Sequence, residues 1–357
     1  MTEKSEVNIE TPLTALHRAS GAQMREWFGC VLPSHWGDPG EEEQFALERV
    51  ALIDKNYRAY LTFTGPDRVR YLNAILTSNI KDLGLGHGIV SLLLNPQGRI
   101  LAEIETYARE KALFCVSYQM IGARLVGWME KYIIMDDVTL ADDTEAFGTL
   151  ALEGPGTMEA VKRLSGVDLA SHIELNQVDA NVDGVPCKIS RRSPGGIAGA
   201  EFLAAREDLE TLWRLLEAAA RESGGGPMGY EALSARRLAQ GIPWFGYDFG
   251  EQQIPHEAGL ESSHISYTKG CYTGQEIVER VRSRGQVNRR RIRLQFEGDV
   301  VPGAGALLMA DGKEIGHVTR AAKSWHPPAV LAMAYIRKEH AEVGSRVEWA
   351  GGVATVT

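Results

Sequence analysis

Hydrophobic and polar positions repeat with two different periods along this chain, and the switches between them outline its elements. Ala59-Tyr60-Leu61-Thr62-Phe63 alternates as a strand, and Gly65-Pro66-Asp67 then opens a helix with Val69, Leu72, Ile75 and Leu76 on one side. Proline suits a first helical turn because its missing amide donor would be unpaired there anyway. Two strand-like runs follow, Ile89 to Leu94 and Ile100 to Tyr107, joined by the turn Asn95-Pro96-Gln97-Gly98. Ala112 to Tyr118 is a further strand, after which Ile121, Leu125, Trp128 and Met129 return at helical spacing. The phrase then recurs. Phe147 to Leu152 is a strand, Gly154-Pro155-Gly156 opens a helix with Met158, Val161 and Leu164, and Gly166 caps it. Pro186 to Arg191 and Ala200 to Ala204 predict strands, and Asp208 starts a long helix that Gly224-Gly225-Gly226 ends. At the front, Leu13, Leu16, Met24 and Trp27 after Pro12 predict one helical stripe.

From residue 289 onward short strands alternate with Gly/Pro/Asp turns: Ile292 to Phe296, Ala306 to Met309, Ile315 to Thr319, Val330 to Ala334 and Arg346 to Trp349. Strands so short and closely spaced predict a small all-β domain, a barrel or sandwich. The expectation is therefore an α+β fold. Residues 1–288 would form two antiparallel α+β lobes of ferredoxin-like kind with a boundary near 145, and residues 289–357 a C-terminal β-barrel.

Composition narrows the class. With 357 residues, 44% hydrophobic and 24% charged, the chain can bury a large core without staples. A net charge of -9 argues against general nucleic-acid binding, though a local basic patch can still act. Cys30, Cys115, Cys187 and Cys271 are too scattered for the spacings of a metal site or a disulfide framework, so no metal is expected. Met1 to Glu6 is polar and lacks an apolar signal core, and no apolar run approaches bilayer length. A reduced cytoplasm is the default compartment, with no membrane partner.

Chemistry concentrates in a few stretches. In Lys269-Gly270-Cys271-Tyr272-Thr273-Gly274-Gln275-Glu276, a thiol lies near a lysine between two glycines. A neighbouring cation stabilises the thiolate, whereas the bland alternative is a small buried cysteine in a turn. The segment Arg236 to Asp248 sets an arginine on a helix before a turn dense in Gly, Pro and aromatics, which suits either a pocket for a flat heterocycle or an ordinary apolar corner. Glu201-Phe202, on a strand after a Gly-rich turn, is ambiguous in the same way. On the strand from Ile100, Ala102, Ile104 and Thr106 share one face while Glu103 and Glu105 take the other. Arg280, Arg282, Arg284, Arg289, Arg290, Arg291 and Arg293 make a local positive field for a polyanionic tail or RNA; alternation at 280, 282 and 284 also fits a strand with one solvated face.

Taken together these pieces resemble a known family. Lys269 to Glu276 looks like the hallmark of YgfZ-type folate-binding proteins, which are linked to iron–sulfur cluster maintenance and tRNA modification; their wider superfamily includes the T-protein (aminomethyltransferase) of the glycine cleavage system. Trp27 to Pro33, Leu52-Ile53-Asp54, Gly65-Pro66-Asp67, Leu94-Asn95 with Gly98, Gly154-Pro155, Arg237-Leu238 with Gly241, Gly246-Tyr247-Asp248 and Pro255 to Ala258 follow in family order. The resemblance implies a cloverleaf of two lobes and a barrel with tetrahydrofolate in a central channel. It assigns Glu201 to the pterin's amino and ring nitrogens and Arg237 to a polar edge or glutamyl tail. It also brings Ala102 and Asp248 to the cofactor's neighbourhood.

One departure separates the branches. In T-proteins an aspartate stands on the strand after the Asn…Gly turn, and the matching position here is Ala102. A methyl group can neither position an amine nor balance developing charge, and Glu103 points to the other face unless a bulge intervenes. The resemblance thus implies first a folate-binding accessory protein for iron–sulfur enzymes, with Cys271 as working thiol, Lys269 lowering its pKa and Tyr272 shaping the loop. The alternative is a folate-dependent aminomethyltransferase or related one-carbon transferase or demethylase. RNA binding through the arginine run is a third reading.

Overall fold

A computed structural model describes residues 9–285 and 287–357; the polar segment Met1 to Glu6 lies outside them. The chain divides into two compact units. One comprises the chain through Thr62 with Val116–Trp128 and Ala141–Leu233; the other comprises Phe63–Cys115, Met129–Leu140 and Ser234–Thr357. Neither is a continuous run of sequence.

The first unit is built on a six-stranded sheet in the order Gln177–Val182, Val185–Arg191, Gly199–Ala205, Phe147–Glu153, Ala51–Asp54, Gly226–Pro227. One face is apolar because alternate residues of each strand point the same way: Leu52, Leu150, Leu152, Ala200, Phe202 and Ala204 all join one buried cluster. The helix Leu209–Glu222 closes that cluster with Leu209, Leu212, Trp213 and Leu216, the spacing of a single helical stripe. The helix Thr157–Ser165 ends at Gly166 in the left-handed conformation (φ 74°), the cap expected from its sequence.

The expected stripe from Leu13 to Trp27 is not one helix. Only Thr14–Ala19 is helical; Gln23–Trp27 is a strand paired antiparallel with Cys30–His35. Gly21, at φ 90°, breaks the helix between them. Residues 24 and 27, neighbours on a helix, fall on opposite faces of that strand.

In the second unit, Gly88–Leu94 and Ile100–Ala108 pair as an antiparallel hairpin. The C-terminal strands Arg289–Phe296, Pro328–Arg337, Lys313–Trp325, Leu307–Ala310, Arg346–Trp349 and Gly352–Val356 close, in that order, into a barrel. Leu294, Leu308, Val318, Ile336, Val347 and Val356 fill its interior. Mixed α+β structure and a C-terminal barrel are thus as expected, the barrel closing with a sixth strand, Gly352–Val356, that the sequence reading did not include. The arginines at 280 and 282 are not on a strand: Gln275–Arg284 is a helix, held by Glu276–Arg280 and Glu279–Arg282 pairs three and four residues apart. No helix among the described residues is long and apolar enough to cross a membrane.

Candidate functional site

In the first unit, Glu201 sits in the middle of the strand Gly199–Ala205, paired with Ala151 on one side and Ser190 on the other. Its neighbours Ala200 and Phe202 face the apolar core, so alternation turns Glu201 to the opposite face, where it is nonetheless only 3% exposed. Two cations make that burial tolerable. Arg58 donates to both carboxylate oxygens, at 2.6 and 3.0 Å, and Lys55 Nζ donates to Oε1. The three side chains together carry one net positive charge. Between the two cations in sequence lies Tyr57, stacked on Phe28 with centroids 4.4 Å apart; Tyr118 and Tyr230 pack around the same pair. Next to Lys55, Asp54 accepts from Thr11 and Asn56 and pairs with the fully buried His17 at 2.8 Å.

The second unit holds the other expected residues. Ala102 lies on the outgoing strand of the hairpin and is fully buried. A bulge does occur here, but the extra residue is Leu101: Leu94 pairs with Ile100 and Leu93 with Ala102. From Ala102 onward the pairing stays in step, so Glu103 remains on the other face. There it accepts from His264 Nε2 at 3.0 Å, while His264 Nδ1 meets Ser263 Oγ at 2.7 Å. The register slip that would swing Glu103 into the place of the missing aspartate is absent.

The hairpin turn is packed against the start of the helix Gln275–Arg284. A Cβ on Gly274 would stand 2.6 Å from the Asn95 carbonyl, and one on Gly98 would stand 2.9 Å from Ile277. Both glycines also have positive φ, 82° and 71°, so both positions require glycine for two independent reasons. The Asn95–Gly98 turn and the Lys269–Glu276 segment are thus in direct contact.

Lys269 is an anchor for that segment. Its ammonium donates to the carbonyls of Asn73, Leu76 and Ser78, at the end of the helix Arg68–Ile75, and lies 5.3 Å from the Tyr272 ring centroid. Burial pushes its pKa down to about 8. Tyr272 is 7% exposed, and burial raises its phenol well above the usual range. Lys269→Met leaves three carbonyls without their charged donor and should lower stability by roughly 3 kcal/mol, read from urea unfolding.

Cys271 itself is exposed, unlike Cys30, Cys115 and Cys187. Burial raises those three thiols to about 12, 12 and 11, so they stay protonated at neutral pH. Native protein should therefore react rapidly with a disulfide reagent at a single thiol. Unfolding should release the other three, and Cys271→Ala should abolish the fast phase.

Arg237 and Asp248 come together around Trp244. The Arg237 guanidinium lies 5.0 Å from the indole centroid, and its Nη2 donates to the Pro243 carbonyl. Asp248, fully enclosed, accepts from the Trp244 amide, from Thr319 at 2.8 Å and from Arg320 at 2.8 and 3.1 Å. Arg320 also covers the other neighbourhood of Trp244 (4.4 Å) and donates to Ser234. Asp248 is thus a tether between the Trp244 turn and the barrel strand Lys313–Trp325.

Sequence reasoning missed Lys55, Arg58, Tyr57 and Arg320. The first three had one available signal, two cations flanking an aromatic directly after Leu52-Ile53-Asp54; Arg320 had none. The arginine run divides: Arg289, Arg291 and Arg293 donate to Glu257, Gln252, Ala258, Gly241 and Ala239, which makes them internal ties.

Comparison with known proteins agrees with this picture. Residues 13–265 match the GCVT N-terminal domain, and residues 289–353 match the glycine cleavage T-protein C-terminal barrel domain. An aminomethyltransferase of Streptomyces coelicolor is 30% identical over 340 residues, covering 94% of this chain and 91% of that protein. One from Moorella thermoacetica is 30% identical over 342 residues, covering 95% and 92%. The crystal structure of the glycine cleavage system aminomethyltransferase T from Bartonella henselae superposes with a TM-score of 0.88, covering 98% of this chain and 96% of that one, at 20% identity, which speaks to fold alone. These relatives support the wider superfamily and its aminomethyltransferases, not the narrower YgfZ branch in particular. This chain belongs to the GCVT family, the family of the glycine cleavage T-protein.

Proposed function

We propose that this protein binds tetrahydrofolate and transfers a one-carbon unit in the manner of an aminomethyltransferase. The observation that carries this reading is the extent of the match: relatives of that name align along 94–95% of the chain, through both family domains. The residues present fit a reduced pterin. In the first unit the Glu201–Arg58–Lys55 cluster would offer fixed charge to a polar ring edge and the Tyr57–Phe28 pair aromatic surface; in the second unit, taken by itself, Arg237 would offer a guanidinium to a carbonyl or carboxylate. Tetrahydrofolate would supply the nitrogens that accept the carbon unit. These side chains would bind and orient it.

A second reading is favoured by two residues. Ala102 is a buried methyl where the family's transferases carry an aspartate, and Cys271 is an exposed thiol on a firmly anchored segment. They support a folate-binding accessory role for iron–sulfur enzymes, extending to tRNA modification, with Cys271 as the working group.

Methylene transfer separates the two. Purified protein is given tetrahydrofolate and an aminomethylated lipoyl carrier, and methylenetetrahydrofolate is measured. Turnover above the protein-free rate supports the transferase. A wild-type rate equal to the protein-free rate, with Ala102→Asp raising it about 100-fold above that background, assigns the chain to the accessory reading.

A further inference from the structure

The hairpin strand Ile100–Ala108 has one closed face and one that a ligand can reach. Ala102 is fully buried, which closes its side. The opposite face carries two carboxylates. Glu105 is buried and accepts from the Tyr107 hydroxyl at 3.1 Å, whereas the Glu103 side chain is 18% exposed. Glu103 is therefore the more accessible acid of this strand.

A chain of hydrogen bonds holds that acid from behind. His264 Nε2 stands 3.0 Å from Glu103 Oε1, and Ser263 Oγ stands 2.7 Å from His264 Nδ1. A carboxylate only accepts, so the imidazole proton sits on Nε2 and the Ser263 hydroxyl donates to Nδ1. The backbone of His264 is pinned as well. Its carbonyl accepts from Thr77 Oγ1 at 2.6 Å and Ser78 Oγ at 3.0 Å, and its amide donates to the Leu260 carbonyl at 3.0 Å. Thr77 Oγ1 in turn accepts from the Leu92 amide at 2.8 Å, and Leu92 is the cross-strand partner of Glu103. The contacts close a ring through Glu103, His264, Thr77 and Leu92, all within the second unit.

Holding a partly exposed glutamate this way costs it rotamer freedom. What it gains is a fixed direction for the carboxylate, which is what a reacting site requires of its acids. We infer that His264, backed by Ser263, is a positioning residue for the one-carbon transfer, keeping the Glu103 carboxylate in the orientation it presents to a bound substrate. The inference rests on the transferase reading above. His264 acts only through Glu103, so its loss should slow the reaction more than it weakens binding.

Two measurements on the full chain test this. Without folate, nitrogen NMR of isotope-labelled histidine should show His264 as the Nε2–H tautomer alone, and Glu103→Ala should release it to a mixture. An Nδ1–H form, or a mixture in the wild type, overturns the inference. This measurement needs no His264 variant, so a folding defect leaves the test intact. In the methylene-transfer assay, His264→Ala should lower kcat about 100-fold while KM for tetrahydrofolate stays within about twofold. His264→Gln keeps an N–H donor for Glu103 and should recover at least about tenfold of that loss. Equal losses in the two variants, or a loss confined to KM, would reduce the ring to a staple for the loop and overturn the inference. Full activity in both variants overturns it while leaving the transferase reading standing. A wild type without turnover overturns that reading itself, and the inference falls with it.

Discussion

Glu201→Ala should lower the free energy of unfolding by at least about 4 kcal/mol, because removing one partner of a buried ion pair strands the other. Here it strands two. Lys55 and Arg58 are 4% and 8% exposed, and both direct their charge at this carboxylate. Glu201→Gln keeps the shape and separates charge from volume: an effect nearly as large as alanine's identifies electrostatics as the cause. Arg58→Met combined with Glu201→Leu should recover part of the loss, since apolar replacements remove one of the two stranded charges and leave only that of Lys55. Chemical denaturation with a shared slope measures all three. A change below about 1 kcal/mol in Glu201→Ala would mean that water reaches the cluster and that the pairing is a surface one.

Asp248→Ala is the second large effect, expected at about 3–5 kcal/mol. Asp248 is wholly enclosed and Arg320 is 5% exposed, so the guanidinium is left charged in a dry site. The Trp244 amide loses this acceptor too, while the Thr319 hydroxyl falls back on the Met333 carbonyl. Because the carboxylate joins the Trp244 turn to a barrel strand, the variant should also loosen the turn that carries Arg237's aromatic support. Tryptophan fluorescence should shift toward that of exposed indole at denaturant concentrations where the wild type is still native. Asp248→Asn retains an acceptor for the amide and should lose less. Equal stability of Asp248→Ala and wild type would show that Arg320 is satisfied by Ser234 alone.

Much of the architecture was legible because it is written in local period and punctuation. The helix Leu209–Glu222 announced itself through one apolar stripe ended by glycines, and the barrel through short strands at even spacing. The failures have equally local causes. Gln23–Trp27 carries apolar residues at a helical interval that tertiary pairing overrides. The arginines from 280 alternate like a strand, yet the Glu276–Arg280 interval of four was the stronger signal. The candidate site was read as a set of positions through family resemblance, not as chemistry. Nothing in the sequence shows that Lys269 is directed at three carbonyls, that Asp248 is sealed against Arg320, or that Lys55 and Arg58 converge on Glu201. Those are long-range pairings, and one sequence carries no record of which charges meet.

The central claim, that this chain is built to hold a reduced folate, is tested most directly by titrating the purified protein with monoglutamyl tetrahydrofolate in a calorimeter under anaerobic conditions. The account predicts saturable uptake at one site per chain, weakened at least tenfold in Arg237→Ala measured at equal folded fraction. Heats no greater than dilution at ligand concentrations well above those of the protein would contradict it.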